Sequence, residues 1–537
     1  MEREALWSER MKKPAVQRVQ YLLPLLIALL LPIIYHVVSR PFGPGIYLGL
    51  DDGYIHATLA RNLARTGILG INPGEGGGGS SSLIWTTLLT LPALLHIPTD
   101  LTALLLGIAT NVLAVFAVWK VSRLFLSDRL ALVAAFLAAL SGQSAALALT
   151  GMESMLAPAL VMLGFAANRN NKKARYFFFT LAALTRIETL LTPVILVTVE
   201  YFDRQNQQQT KSLKSTFLPL AWVVGIALAG LGVLALLGHG MPSTFLGRRW
   251  LYGLGEQIFS LPIPFVPFTR YSLQSNVVRL AAFVGPGGPL RYLWAGAILF
   301  LIYFGIVGIW MRRSRGRVLT IYLILQALFA LYVIGSEGHI GRYLAFFWLL
   351  LPLFTIVGWQ AIGITLRGLP KTIYLYGSAV LLLIGYIPQL GHWSTWHAQS
   401  IQHLATVHAT MAEDVDELVP EGETVAAFDI GLLSFRSTHR IFDLGGLTGK
   451  ETVHAMYHGI VPKLMKAKDI KYIVLPEVKP QSYERIAGNL RIDPSRYKLL
   501  SMRKLPPVDP DYLNATRIAM PILSLLDLST PNLDING

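Results

Sequence analysis

Two adjacent carboxylates open the stretch YLGLDDGYIHATLARNLARTG (Tyr47–Gly67), where Asp51 and Asp52 stand just beyond a long apolar run. Neighbouring carboxylates repel, which raises the proton affinity of at least one and suits it to general-base work. Helix capping is the structural alternative. Asp52 precedes Ile55, Leu59 and Leu63 on one helical face, and an Asp at a helix start satisfies free backbone amides. A cap accounts for one acid and leaves the other. Glu153, Arg186 and Glu188 lie inside or at the end of apolar runs, where ionisable groups are costly and either pair or line a polar cavity. An Arg186–Glu188 or Arg186–Glu153 ion pair fits as well as a substrate contact. Arg248, Arg249 and Arg342, the last followed by Tyr343, stand at ends of apolar segments, where arginines reach for lipid headgroups. Converging near two aspartates, such arginines would make a site for a phosphate and a hydroxyl. Arg61 and Arg65, one turn apart on the polar side of their helix, suit headgroup contact.

These groups hang on apolar segments. The chain has 537 residues, 53% hydrophobic and 14% charged, which is too apolar for a soluble protein. Runs near the length of a hydrocarbon core recur, so a polytopic α-helical membrane protein is expected. The first run, Tyr21–Val38, follows basic residues but precedes no small-residue cleavage site, and reads as a retained span. The net charge of +15 comes from basic clusters in short loops, including Lys120–Arg129, Arg204–Lys214 and Arg312–Arg317. The positive-inside bias explains them without a nucleic-acid partner. With those clusters and the N-terminus in the cytoplasm, Asp51/Asp52, Thr150–Ser154, Thr185–Thr189, Met241–Trp250, Glu337–Tyr343 and everything after about Gln389 share the outer face. Leu83–Ile97 and Leu101–Trp119 look like two spans where the charges want an odd number of crossings. A short or partly inserted helix resolves this, and about eleven spans are expected. Zero cysteines exclude disulfides, thiolate metal sites and cysteine nucleophiles.

Residues 1–391 therefore form the transmembrane part, with a first outer loop at 39–82, and 392–537 an extracytoplasmic α/β domain. Within that loop the Gly/Ser-rich stretch Ile71–Ser82 lacks the Gly-Lys-Ser/Thr of a phosphate cradle and reads as a flexible connector. His397, Ile401, Leu404, His408, Met411, Val415 and Leu418 form one stripe of a helix leaving the membrane. Its histidines match no metal-ligand spacing and read as packed residues. Short strands with glycine turns follow, among them Asp469–Glu477.

In order along the chain, DDGYIHATLARNLARTG-ILGINPGE, SGQSAALALTGMES, LAALTRIETLL, GRYLAFFWLLLPL and VAAFDIGLLSFRSTHRIFDLGGLTG resemble elements of the GT-C glycosyltransferases, and most of all the bacterial arabinofuranosyltransferase-like group. The chain departs at Ile187, where proline is usual, at Ser154, where threonine is, and at GEGGGGSSSLIW, which touches the loop framing the acceptor. The resemblance implies an inverting enzyme of the bacterial plasma membrane, moving a sugar, arabinofuranose among the options, from polyprenyl phosphate to a cell-envelope glycan, lipid or protein. An acceptor hydroxyl would be deprotonated by Asp51, with Asp52 orienting it, while arginines hold the phosphate. His56, Glu153, Arg186, Glu188, Arg248, Arg342 and Tyr343 would line the substrate. Two aspartates could hold a divalent cation, but no complete ligand set is visible. A lipid or sugar flippase or transporter, and a glycan-binding scaffold, are the alternatives from other classes.

Overall fold

The computed structural model describes residues 15–167, 171–205, 213–240, 243, 290–312, 314–328, 341–365, 370–477, 479, 481, 486–507 and 521–531. Its first part is helical: α1 (Ala15–Ser39), α2 (Asp51–Thr66), α3 (Leu83–Leu94), α4 (Thr99–Ser122), α5 (Asp128–Ala139), α6 (Gly142–Ala148), α7 (Leu156–Ala166), α8 (Lys172–Thr185), α9 (Leu191–Gln205), α10 (Leu213–Leu237), α11 (Leu290–Arg312), α12 (Ser314–Leu328), α13 (Ala345–Thr365) and α14 (Lys371–His403).

Among the described residues, five helices are long and apolar enough to cross a membrane: Leu22–Phe42, Thr99–Ser122, Phe217–Leu237, Leu293–Met311 and Arg342–Ile362. Helices α5 and α6, bent by 61° against each other, make a sixth if taken as one span. Large apolar side chains such as Leu22, Ile34, Trp222, Leu228 and Tyr303 face outward, a surface made for lipid rather than water. The inter-helix contacts are close. A Cβ on Gly305 of α11 would stand 2.0 Å from the Phe354 carbonyl oxygen of α13, and one on Gly358 would stand 1.8 Å from that of Leu301. Small residues of this kind let membrane helices approach backbone to backbone. Helix α3 has 12 residues, about 18 Å of rise against a hydrocarbon core of about 30 Å. It is one of two short apolar helices among the described residues, Leu156–Ala166 being the other.

Helix α14 has 33 residues and outruns a membrane span. It continues through a π turn, Leu404–Ala409, into α15 (Thr410–Leu418). Along this stem His397, Ile401, Leu404, His408, Met411 and Val415 are buried, and Leu418 at its end is exposed. Next come β1 (Thr424–Ala427), α16 (Gly431–Arg436), β2 (Arg440–Asp443), α17 (Lys450–His458), α18 (Val461–Ala467), β3 (Tyr472–Glu477), α19 (Ile486–Leu490), β4 (Tyr497–Lys504) and β5 (Ile522–Pro531). The strands form one sheet in the order β2-β1-β3-β5-β4, with β1 parallel to β2 and β3, and β5 antiparallel to β3 and β4. Strand alternation divides its two faces. Val425, Ala427, Val474, Leu523 and Leu525 join the core that runs on into the helices. Ala426, Ile473, Leu475 and Leu526 join a second core with Val453, Val461 and Leu490 of α17, α18 and α19.

The Gly/Ser-rich stretch 71–82 differs from the expected connector. A Cβ on Gly76 would stand 2.6 Å from that of His239, and one on Gly79 would stand 3.0 Å from Thr448 Cγ2. The glycines let this backbone pass between two walls. It is packed, not slack.

Candidate active site

Asp51 and Asp52 are the first two residues of α2, which starts after Leu50 without a side-chain cap and closes at Gly67, whose φ is +74°. The expected cap on its own helix is therefore absent. Instead the two acids face opposite ways. Asp51 Oδ2 accepts the Gly431 N–H at 2.8 Å and Asp51 Oδ1 that of Leu432 at 2.7 Å, both from α16, with His408 Nδ1 3.6 Å from Oδ1. Asp52 Oδ2 pairs at 2.7 Å with the Arg342 guanidinium.

Arg342 is 2% exposed, so its charge depends on the partners around it. Besides Asp52 it donates to Met152 Sδ at 2.6 Å and to the Tyr343 hydroxyl at 3.2 Å. Two cations lie over the Tyr343 ring, Arg342 5.0 Å and Arg186 4.8 Å from its centroid. Arg186 Nε is 2.8 Å from Glu188 Oε1 and 3.7 Å from Glu153 Oε1, and His56 Nε2 stands 3.7 Å from Glu153 Oε2. Asp51, Asp52, His56, Glu153, Arg186, Glu188, Arg342 and Tyr343 thus form one connected cluster, drawn from segments almost three hundred residues apart. Both ion pairs weighed for Arg186 are present. Arg248 and Arg249 lie outside the described residues.

Arg61 departs from the expected headgroup contact. Its guanidinium donates to Phe435 O at 2.7 Å and Ser434 O at 3.2 Å and lies 4.7 Å from the Phe435 ring centroid. Once α16 packs against α2, the Arg61 turn of that polar side faces protein, while Arg65, one turn on, stays exposed.

Sequence reasoning missed Asp429. It follows β1 and lies close enough to the acid pair to feel both charges. Burial pushes its carboxyl up to about 8, and the charges of Asp51 and Asp52 add to the rise. Asp51 is raised to about 6, by burial first and then by Asp52, against the two amide bonds that favour its ionised form. Burial lowers His56 below the ordinary histidine value and outweighs the pull of Glu153. An FDIG sequence between a strand and a short helix carries no local mark of the acid pair. Only the docking of α16 on α2 brings Asp429 there.

Between α11 and α13 lies a small, partly open apolar crevice with room for about one water, lined by Trp294, Ile298, Ile302, Phe347, Trp348 and Leu351 among others. Among the described residues no group of three or more His, Asp or Glu is arranged to hold a metal ion. Asp51 is engaged by amides and Asp52 by Arg342. Among the described residues these carboxylates do not make up a divalent-cation ligand set.

Comparison with curated protein sequences returns no match. A family model described as "Domain of unknown function (DUF8728)" matches residues 394–512, the stem and most of the sheet. Three solved structures are similar over nearly the whole chain. The Archaeoglobus fulgidus oligosaccharyltransferase in the apo form has a TM-score of 0.53 at 14% identity, with 91% of this chain and 73% of that one covered. ArnT from Cupriavidus metallidurans in the apo state gives 0.50 at 13%, with 93% and 97% covered. The same ArnT bound to undecaprenyl phosphate gives 0.51 at 13%, with 98% and 100% covered. At such identities the likeness is one of fold. The chain shares the fold of these oligosaccharyltransferase and ArnT structures, and its long apolar helices make it a multi-pass membrane protein.

Proposed function

We propose that the protein is an inverting glycosyltransferase that moves a sugar from a polyprenyl-phosphate donor to a hydroxyl of a cell-envelope acceptor. The observation that carries this reading is the Asp52–Arg342 pair, 2.7 Å apart, which runs on through Tyr343 and Arg186 to Glu153 and Glu188. An anionic lipid headgroup needs a buried cation, its isoprenoid tail needs apolar walls, and the acceptor hydroxyl needs a base. Here the cation and the carboxylate adjoin, on a bundle whose outer faces are apolar. The fold likeness to an ArnT bound to undecaprenyl phosphate supports the choice of lipid.

In the reaction the acceptor oxygen attacks the anomeric carbon, the C1–O bond to phosphate breaks, and the hydroxyl proton passes to a carboxylate. Polyprenyl phosphate leaves as an anion, so no strong acid is required. Arg342, with Arg186 beyond Tyr343, would hold the phosphate and stabilise its growing charge. Donor phosphate and Asp52 compete for Arg342, so donor binding loosens the ion pair and makes Asp52 the better base. Asp51, with both oxygens accepting backbone amides, is the positioning acid. The roles suggested by family likeness are thereby exchanged. Glu153, Glu188 and His56 set the charge of the pocket floor, and Arg248 is proposed as a further substrate contact on the sequence alone.

The same proposal includes about eleven crossings, a cytoplasmic N-terminus, residues 392–537 as an extracytoplasmic domain, and the bacterial plasma membrane as location, supported by the distribution of basic clusters. The ordered motif likeness makes arabinofuranosyl the first sugar to try.

The test incubates purified protein with a panel of polyprenyl-phosphate sugars and measures release of polyprenyl phosphate. Asp52→Asn should fold and bind donor yet lose transfer by roughly 10³-fold, with Asp51→Asn losing less. Full transfer by Asp52→Asn would remove it from the mechanism. A flippase or scaffold would barely respond to either change.

A further inference from the structure

One short helix of the C-terminal part is gripped at both ends by α2. Helix α16 follows β1 and has six residues. Its first two amides go to the two oxygens of Asp51, and its last carbonyls, Ser434 O and Phe435 O, accept from Arg61. Asp51 and Arg61 are separated along α2 by about 15 Å of helical rise, so the two grips fix rotation as well as distance. Between them Tyr54 packs on the Phe435 ring, centroids 5.2 Å apart, and its hydroxyl receives the Leu48 N–H at 3.0 Å.

The approach is backbone to backbone. A Cβ on Gly431 would stand 2.0 Å from the Asp51 carbonyl oxygen, so this contact needs glycine. Beyond α2, Asn72 pairs both ways with the backbone of Ile441 on β2: Asn72 Oδ1 accepts the Ile441 N–H at 2.9 Å, and Asn72 Nδ2 donates to Ile441 O at 3.1 Å. Because Asp52 is the next residue after Asp51, whatever fixes the start of α2 also fixes where the Asp52 carboxylate stands.

We propose that α16 is a positioning element of the reaction centre. Held by Asp51 and Arg61, it sets the place and turn of α2 so that Asp52 meets the acceptor hydroxyl, and Arg61 and Gly431 are positioning residues of the transfer. This rests on the glycosyl-transfer reading above. The phosphate-holding arginines stand on other segments, so loosening α16 lowers turnover without weakening donor binding, since a displaced Asp52 competes less for Arg342. A displacement of about 1 Å at a reacting group costs on the order of 100-fold in rate.

The experiment uses the full chain in lipid nanodiscs and measures kcat and donor KM for wild type, Gly431→Ala, Arg61→Ala and Arg61→Lys. Expected is a fall in kcat on the order of 100-fold for the two alanine variants, a donor KM no higher than wild type, and substantial recovery in Arg61→Lys, which still donates to the α16 carbonyls. Wild-type kcat in Arg61→Ala, an equal loss through donor KM, or no recovery with lysine would each overturn the proposal. Should Gly431→Ala fail to fold, the two Arg61 variants decide. Where wild type itself releases no polyprenyl phosphate from any donor, the function reading fails instead. The positioning claim is then read from amide exchange at Gly431 and Leu432. Faster exchange in Arg61→Ala upholds it and unchanged protection sinks it.

Discussion

The two flanks of the acid site are made of different material. On the membrane-helix flank the positive charge sits on side chains, Arg342 and Arg186, each already paired with a carboxylate and sharing the face of Tyr343. On the sheet flank Asp51 meets backbone amides, and one more carboxyl, Asp429, stands close behind. A side-chain cation can be handed from one anion to another, since a few rotamer changes suffice. Backbone amides of a packed helix cannot follow a ligand in this way. On the proposed reading the membrane flank exchanges partners and the sheet flank holds still, with Asp52 and Asp51 dividing the roles between them.

The largest effect is expected where exchange is broken. Arg342→Lys keeps the charge but loses the planar fork that reaches Asp52, Met152 and Tyr343 together. Transfer should fall on the order of 10³-fold, and binding of undecaprenyl phosphate, measured by titration calorimetry, should weaken with it. A lysine variant at wild-type rate would show that this flank does not grip phosphate and would dissolve the contrast.

The sheet flank answers to pH. Asp429 is raised to about 8 and Asp51 to about 6, both above an unfolded value near 4. A carboxyl raised in this sense favours the folded state while protonated, so its contribution is whole below about pH 4 and drains away as pH climbs through the folded value. Thermal stability in detergent should therefore decline from about pH 4 towards 8. Asp429→Asn, neutral throughout, should match wild type near pH 4 and gain on it progressively up to about pH 8. Parallel curves would mean that Asp429 does not face the acid pair.

How far could this have been read from the residues alone? Periodicity and length marked the apolar helices, because burial in lipid leaves no alternative to a helix. The stripe from His397 to Val415 is legible for the same reason, since a 3.6-residue repeat survives even through the π turn. Asp51, Asp52, Glu153, Arg186 and Arg342 stood out because charge beside apolar sequence is expensive. Partners were not legible. Arg61 has the spacing of a headgroup contact, and only the packing of α16 turns it inward. The run Gly76–Gly79 has the composition of a linker, yet its missing side chains make room for His239 and Thr448. Composition records what a residue lacks, and the fold decides whether that absence serves freedom or fit. Asp429 stands in apolar sequence, VAAFDIGLL, so the cost of burying it was open to the same reading as Glu153. What the chain could not disclose is the added charge of Asp51 and Asp52, nearly four hundred positions away.

The smallest effect lies at the rim of the sheet flank, where two contacts between the first outer loop and β2 stand side by side. Asn72 exchanges two hydrogen bonds with the Ile441 backbone, while the neighbouring Glu75 pairs with Arg440, whose side chain is 62% exposed. Removing the amide leaves backbone groups at a partly buried strand edge without partners, a cost of roughly 1–2 kcal/mol. Removing the guanidinium breaks an ion pair already screened by water, worth less than about 1 kcal/mol. Asn72→Ala should thus lower the melting temperature clearly more than Arg440→Ala, and only the Arg440 variant should lose its effect in high salt. If the order is reversed, the loop is held to the sheet by charge rather than by backbone pairing, and the rim of the holding flank belongs with the exchangeable one.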